Sequence, residues 1–448
     1  MAVLWLGLLG GLLAFPLGLF VWAVVRHLVT AEIPATIQHP VRLRFLHCVV
    51  LYVFAWPTVH TGGRQETPNT GWQWLAVAPC ACQGSAHSSL SLFSLQQGSI
   101  LEKLRICSTP RLLQFLQDIG TIKKDPKLVV TDMRFGSIPV RLYQPKAASC
   151  KARRGIIFFH GGGAICGSLD SYHSLCSFLS RETDSVVLSV GYRKLPDYHH
   201  PVITQDCLNA SIHFLKTLQT YGVDPSRVVI SGESVGAWAA AVVMQALLNR
   251  PNLPQLRAQV LICPPLQAIN FFLPSFQQHQ NVPFLTKDIV MLAVCKYLAI
   301  DRSWEDAILK GAGIPPDAWE KYKKWLSSEN IPKRFRTQGL QPEFPGPFNE
   351  AAYLETRHVL DVENSPLLAD DKVIAQLPEA FLVSYENDIL RDDTLLYKKR
   401  LEDQGVPVTW CHVEDGFHGC ILLFDKKPFC FPSSLRAVNA VVSYINGI

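Results

Sequence analysis

The run Arg227-Val-Val-Ile-Ser leads directly into Gly232-Glu233-Ser234-Val235-Gly236 and then into the alanine-rich stretch Ala237 to Leu248. No other feature constrains the chain as strongly. The β-branched run predicts a buried strand, and the alanine-rich stretch is a strong helix former. Between them there is room only for a sharp strand-to-helix turn, whose crowding demands glycine at 232 and 236 and places Ser234 at its apex. Gly-x-Ser-x-Gly alone is a weak signal, since a glycine-rich turn with a solvent-facing serine has the same pattern; the flanking elements give it weight.

Two further segments follow the same logic. Gly155-Ile-Ile-Phe-Phe is a short apolar strand ending at His160-Gly161-Gly162-Gly163, where the glycines let backbone N–H groups approach a developing oxyanion. The amides near Gly161, Gly162 and Val235 are the candidates for that hole, and His160 is expected to orient the loop rather than exchange protons. A phosphate-binding loop would need a Lys-Ser or Lys-Thr after the glycines, and none follows. Further on, the apolar run Glu379 to Tyr385 ends at Glu386-Asn387-Asp388, and the strand Val408 to His412 is followed by Asp415-Gly416-Phe417-His418-Gly419.

A serine at its free pKa is a poor nucleophile, so Ser234 needs a base held in one tautomer by a carboxylate. His418, on a glycine-flanked loop, is the candidate base; His412 lies within a strand and His199-His200 precede a helix. Asp388 is the candidate acid. Its rivals Asp392 and Asp393 open the next helix, where capping and the helix dipole account for carboxylates. The order nucleophile, acid, histidine, with an upstream glycine-rich segment, predicts an α/β-hydrolase fold: a mostly parallel sheet, helices on both faces and a helical cap.

The rest of the chain fits one large domain. A hairpin at 128–143 turns at Gly136-Ser137, helices are expected near 172–182, 204–217, 393–404 and 433–445, and Ala258 to Cys263 is another buried strand. The regular alternation stops after Pro264-Pro265, and a cap insertion is expected at about 266–345 within a hydrolase domain spanning 121–448. Residues 27–120 are read as a membrane-proximal cap segment. Within it, 57–98 is rich in Gly, Ser, Gln, Thr and Pro, which reads as disorder or a loose loop, and its abrupt contrast with both flanks raises the alternative of a variant exon or a gene-model error.

Residues 2–25 carry no charge for 24 positions, enough at about 1.5 Å per residue to cross ~30 Å of hydrocarbon. The run ends in Val-Val-Arg-His rather than at a small-residue cleavage site, so an uncleaved anchor over 1–26 is expected. Arg26, Arg42 and Arg44 after the span argue for a cytosolic body. The second apolar stretch, 45–56, is too short to cross and suits a buried or membrane-skimming segment. A net charge of +5, with dispersed lysines and arginines, does not suggest nucleic acid, and the basic run Lys333 to Arg336 is read as a solvated loop. Thirteen cysteines show no zinc-ligand spacing, so no metal and no cofactor is expected. The sequon Asn209-Ala210-Ser211 falls in a helix.

HGGG, GESVG, ENDILRDD and EDGFHG, in this order, resemble the arylacetamide deacetylase branch of the hormone-sensitive-lipase-like esterases. The resemblance covers residues 1–56 and about 100–448, including Ile33-Pro-Ala-Thr and Gly191-Tyr-Arg-Lys-Leu-Pro. It implies a membrane-anchored serine hydrolase of lipophilic esters or acetyl amides, with Ser234, Asp388 and His418 at the triad positions. It also implies a type II anchor and a body in the endoplasmic reticulum lumen, against the charge rule. Glu233, Val235 and Ala237 replace the Asp, Ala and Gly common in that branch, and Tyr385 stands where relatives carry a cysteine. The alternative is a catalytically weak, membrane-tethered binder of hydrophobic ligands on the same fold.

Overall fold

The computed structural model describes residues 31–55, 124–336 and 344–448, with five further positions between 18 and 25. The segment 57–98 lies outside the described residues, as does almost all of the uncharged run at 2–25. Among the described residues, no helix is long and apolar enough to cross a membrane.

Eight strands form one sheet. They are β1 (Leu128–Phe135), β2 (Ile138–Pro145), β3 (Arg153–Phe159), β4 (Ser185–Val190), β5 (Val223–Glu233), β6 (Ala258–Ile262), β7 (Glu379–Asn387) and β8 (Val408–Phe417), in the spatial order β1-β2-β4-β3-β5-β6-β7-β8. The β1–β2 hairpin turns at Gly136, whose φ of 62° favours glycine. β2 also runs antiparallel to β4, and every later pairing is parallel. Parallel strands need covered crossovers, which is why β4 and β6 are buried along their whole length.

The helices relevant to the site are α1 (Pro40–Ala55), α2 (His173–Glu182), α3 (Val202–Lys216), α4 (Val235–Leu248), α5 (Lys287–Tyr297), α6 (Pro316–Leu326), α7 (Arg391–Asp403) and α8 (Pro432–Gly447). Side chains alternate across each strand. Val228 and Ile230 therefore join the core beneath α3, α4 and α7, while Val229 joins the opposite core with α2, α8 and Leu43. The α/β-hydrolase architecture read from the sequence is the observed one.

The structure bears on three expectations. Beyond the expected cap insertion at 266–345, short helical pieces continue through Glu350–Thr356 and Asp371–Ile374 before β7 begins at Glu379, where the apolar run places it. Pieces of four to seven residues, broken by Pro366, carry no period long enough to read. The Lys333 to Arg336 run is not simply a solvated loop, because Phe335 is buried and the Arg391 guanidinium lies 4.7 Å from its ring centroid. The second apolar stretch belongs to the longer α1, which buries Leu43 and Cys48 but leaves Val41 and Phe45 exposed.

The N-terminal strap reaches the functional edge of the sheet. Ile37 is buried, Phe45 stacks on Phe429 with ring centroids 6.0 Å apart, and the Thr36 hydroxyl donates to Asn387 Oδ1 at 2.9 Å. Asn387 ends β7.

Candidate active site

The turn after β5 is as crowded as the glycines imply. A Cβ on Gly232 would lie 2.2 Å from the Gly236 carbonyl oxygen, and one on Gly236 would lie 2.1 Å from the Phe159 carbonyl oxygen. Ser234 adopts φ 54°, ψ −126°, a left-handed backbone that non-glycine residues rarely hold without support. Support comes from its own amide, which donates to the Ile262 carbonyl of β6 at 2.8 Å, and from its carbonyl, which receives the Ala237 and Trp238 amides of α4.

The structure brings the three predicted side chains together. His418 Nε2 is 2.9 Å from Ser234 Oγ, and His418 Nδ1 is 2.9 Å from Asp388 Oδ2. Asp388 is fully buried at the end of β7, and its Oδ1 accepts the Leu390 amide at 2.8 Å. Burial alone would pull the His418 imidazole down, but the charge and hydrogen bond of Asp388, with the charge of Glu233, outweigh it and hold it above the ordinary 6.5.

Asp392 and Asp393 do different work from the helix-dipole role that their positions suggest. Asp392 accepts the Ser275 amide at 2.7 Å and pairs with Arg391, while Asp393 accepts the Leu266 amide at 2.8 Å and the Gln267 side chain at 2.9 Å. Burial pushes the Asp393 carboxyl up to about 7. Both tie the exit of β6 to the start of α7. Ser275, Leu266 and Gln267 lie 117 or more residues away from them in the chain, so no local pattern revealed these partners.

His160 is fixed by its surroundings. It is wholly buried, stacks on Tyr192 with centroids 4.2 Å apart, and engages the Gly161 carbonyl through Nδ1 at 2.8 Å. Burial, aided by the charge of Lys194, lowers it to about 3. Gly162 has φ 116° and its carbonyl accepts the Ile165 and Cys166 amides, so the loop folds back on itself. Gly163 and Val235 line a cavity beside Ser234, and Gly161 packs against Glu233 and Tyr172. The first-turn amides of α4, Val235 among them, have no acceptor within the helix.

That cavity is mostly apolar, walled by Trp238, Phe271, Leu273, Phe276, Val290 and Leu298, with Gln267, Asn270, Asn364 and the Asp393 carboxyl among its polar members. About 120 Å³ of it is wide enough for a water-sized sphere. Residues of α5 and of the loop after β6 supply most of the wall, so the insertion forms the binding side of the site.

His412, set aside on sequence grounds, bonds to Ser384 Oγ and Glu386 at 2.9 Å each. Tyr385 is fully buried, and a Cβ on Gly416 would lie 2.4 Å from its ring. Glu233, Cys263 and His418 offer donor atoms within 4.8 Å of one another. As a metal site this set is poor: both His418 nitrogens are already engaged, and burial holds the Cys263 thiol well above its usual pKa, far from the thiolate a metal needs.

Asn387 joins the moving parts. Its Oδ1 accepts from Thr36, and its Nδ2 donates to the Gly416 carbonyl at 3.1 Å, two residues before His418. We expect Thr36→Val to lower kcat a few-fold with KM nearly unchanged, because the Asp388 and His418 loops lose a shared brace. Steady-state kinetics reads this, and an unchanged kcat would show that the strap is incidental.

The sequence profile of the family described as alpha/beta hydrolase fold matches residues 156–322 and 339–422. Human arylacetamide deacetylase-like 4 is 60% identical over 448 residues, covering 100% of both chains. Human arylacetamide deacetylase-like 3 is 48% identical over 97% of both, and bovine arylacetamide deacetylase is 37% identical over 72% of this chain and 80% of its own. Among solved structures, an esterase from Pseudomonas putida aligns with a TM-score of 0.58 at 21% identity, over 78% of this chain and 95% of its own. A hyperthermophilic esterase from Pyrobaculum calidifontis aligns at 0.57 and 19%, over 78% and 96%; at such identities the likeness speaks for the fold. Matched over its full length by relatives of one kind, the chain belongs to the arylacetamide deacetylase family of the α/β-hydrolase fold.

Proposed function

We propose that the protein is a serine carboxylic ester hydrolase acting on lipophilic esters, with acetyl amides as a second substrate class, through Ser234, His418 and Asp388. His418 Nε2 takes the Ser234 proton as Oγ attacks the carbonyl carbon, and Asp388 stabilises the imidazolium that forms. The amides of Gly161, Gly162 and Val235 receive the carbonyl oxygen as it becomes negative. His418 then protonates the leaving alcohol, and water, deprotonated by the same histidine, releases the acid from Ser234. No cofactor enters any step.

The single observation behind this reading is the unbroken relay from Ser234 through His418 to Asp388, 2.9 Å at each link, opening on an apolar cavity. The apolar wall predicts that kcat/KM on p-nitrophenyl esters rises from acetyl to medium acyl chains, since each buried methylene gives about 0.8 kcal/mol. A series of acyl lengths tests it. Binding of the longer esters without turnover would favour the alternative of a hydrophobic-ligand binder.

We further propose that residues 2–25 anchor the protein, with the catalytic body in the endoplasmic reticulum lumen. The supports are the 24 uncharged positions and the full-length match to the family. Sequons engineered into exposed loops of the body are expected to be glycosylated in cells; a body that is never modified would place it on the cytosolic side.

A further inference from the structure

Glu233, the last residue of β5, is a carboxylate that the proposed chemistry leaves unused. It is 2% exposed. Its Oε2 accepts the Tyr172 hydroxyl at 2.6 Å and its Oε1 faces the Cys263 thiol at 3.6 Å. Oε2 also fills the space beside the first glycine of the oxyanion segment, since a Cβ on Gly161 would lie 1.9 Å from it. Among the described residues, no lysine or arginine pairs with it.

A buried ionised carboxylate is costly unless it is hydrogen-bonded or faces a cation. The one group in reach that becomes a cation during turnover is His418, whose ring nitrogen lies with a Glu233 oxygen and Cys263 Sγ inside a 4.8 Å cluster. Every element packed here has a titratable group: Tyr172 before α2, Cys263 after β6, Tyr385 and Asp388 on and after β7, His418 after β8, and Tyr192 after β4. Of these, Asp388 is the only other carboxylate, and it is bonded to Nδ1 of the ring.

We infer that Glu233 is a second, non-bonded counter-charge for His418, a positioning residue that favours the imidazolium of the transition state and seats the Gly161 loop against it. The inference rests on the reading of Ser234, His418 and Asp388 as the catalytic groups. With His418 neutral, the Glu233 charge has only the Tyr172 hydroxyl and Cys263 thiol as donors. When the proton moves from Ser234 to His418, that charge gains an opposite partner. The interaction is therefore stronger in the transition state than in the resting enzyme, which is the condition for acceleration. Burial raises Glu233, and the charge of His418 and two hydrogen bonds pull it back only in part; the Glu233 charge in turn raises His418.

The test is the pH profile of kcat/KM for the full-length protein, Glu233→Gln and Glu233→Asp, on p-nitrophenyl butyrate. Removing the charge lowers the His418 pKa, so Glu233→Gln is expected to move the midpoint of the acid limb down by about 0.5–1 pH unit, with kcat reduced roughly tenfold or more and KM little changed. Glu233→Asp keeps the charge and is expected to leave the limb near that of the parent. A folded Glu233→Gln whose acid limb coincides with the parent's overturns the inference; a purely structural glutamate would alter the melting temperature but not that midpoint. If the Gln variant does not fold, the Glu233 carboxyl carbon of the parent, assigned against Glu233→Asp by ¹³C NMR, is expected to show an inflection at the acid-limb pH that His418→Ala abolishes. Absence of that inflection is equally contradictory. A parent without esterase activity, or an active Ser234→Ala, would instead defeat the underlying functional reading.

Discussion

Ser234→Ala is expected to lower kcat on any ester substrate by about 10⁴–10⁶-fold while leaving the protein folded. Groups that act as one unit fail together, so His418→Ala should fall in the same range and the double variant should be little worse than either. The geometry gives the reason: with Oγ gone, His418 Nε2 has no serine proton to take, and the elbow that Gly232 and Gly236 create no longer presents an attacking oxygen. The small Oγ makes no packing contribution whose loss unfolds the turn, and the Ser234 amide keeps its bond to Ile262. Purified variants assayed beside the parent, with circular dichroism as a fold control, decide the matter. Retention of more than a few per cent of activity by Ser234→Ala would rule out Ser234 as the nucleophile.

The largest effect on stability should come from Arg391→Ala, expected to cost ~3–5 kcal/mol, as breaking a buried ion pair does. Arg391 is 1% exposed and stands at the first turn of α7. Its guanidinium pairs with Glu386 and Asp392 at 3.0 Å each, donates to Gln278 Oε1 at 3.0 Å and the Phe335 carbonyl at 3.2 Å, and covers the Phe335 ring. One side chain thus joins the end of β7, the start of α7 and two separate parts of the insertion. Alanine would strand the buried Asp392, whose carboxyl burial already pushes upward against the restoring charge of Arg391. The urea unfolding midpoint reads the loss, and a change below about 1 kcal/mol would mean that the cap is held by its apolar contacts alone. Because Asp388 lies three residues away, activity should fall as well.

What the sequence made legible shares a physical character. Glycines at 232 and 236, the glycine run after β3 and the order of Ser234, Asp388 and His418 all follow from short-range geometry: a tight turn excludes a Cβ, and a strand end sets where a side chain begins. Parallel strands announced themselves because burial on both faces makes them continuously apolar. The parts that stayed hidden depend on distant partners. Nothing near Glu233 foretold Tyr172 and His418, and Arg391 read as an ordinary residue of a helix start. Phe335, set among basic residues, looked solvated until Arg391 and His412 packed around its ring. The short helices before β7 stayed unread for a related reason: they are too short for an apolar period, and their place depends on distant contacts.

The central claim is that Ser234 is an activated nucleophile. Its most direct test is labelling of the full-length protein with a fluorophosphonate probe, followed by mass spectrometry of the modified peptide, with Ser234→Ala and His418→Ala alongside. The account predicts a single adduct on Ser234 in the parent and none in either variant. A folded parent that takes no label, or an adduct on another residue that survives Ser234→Ala, would contradict it.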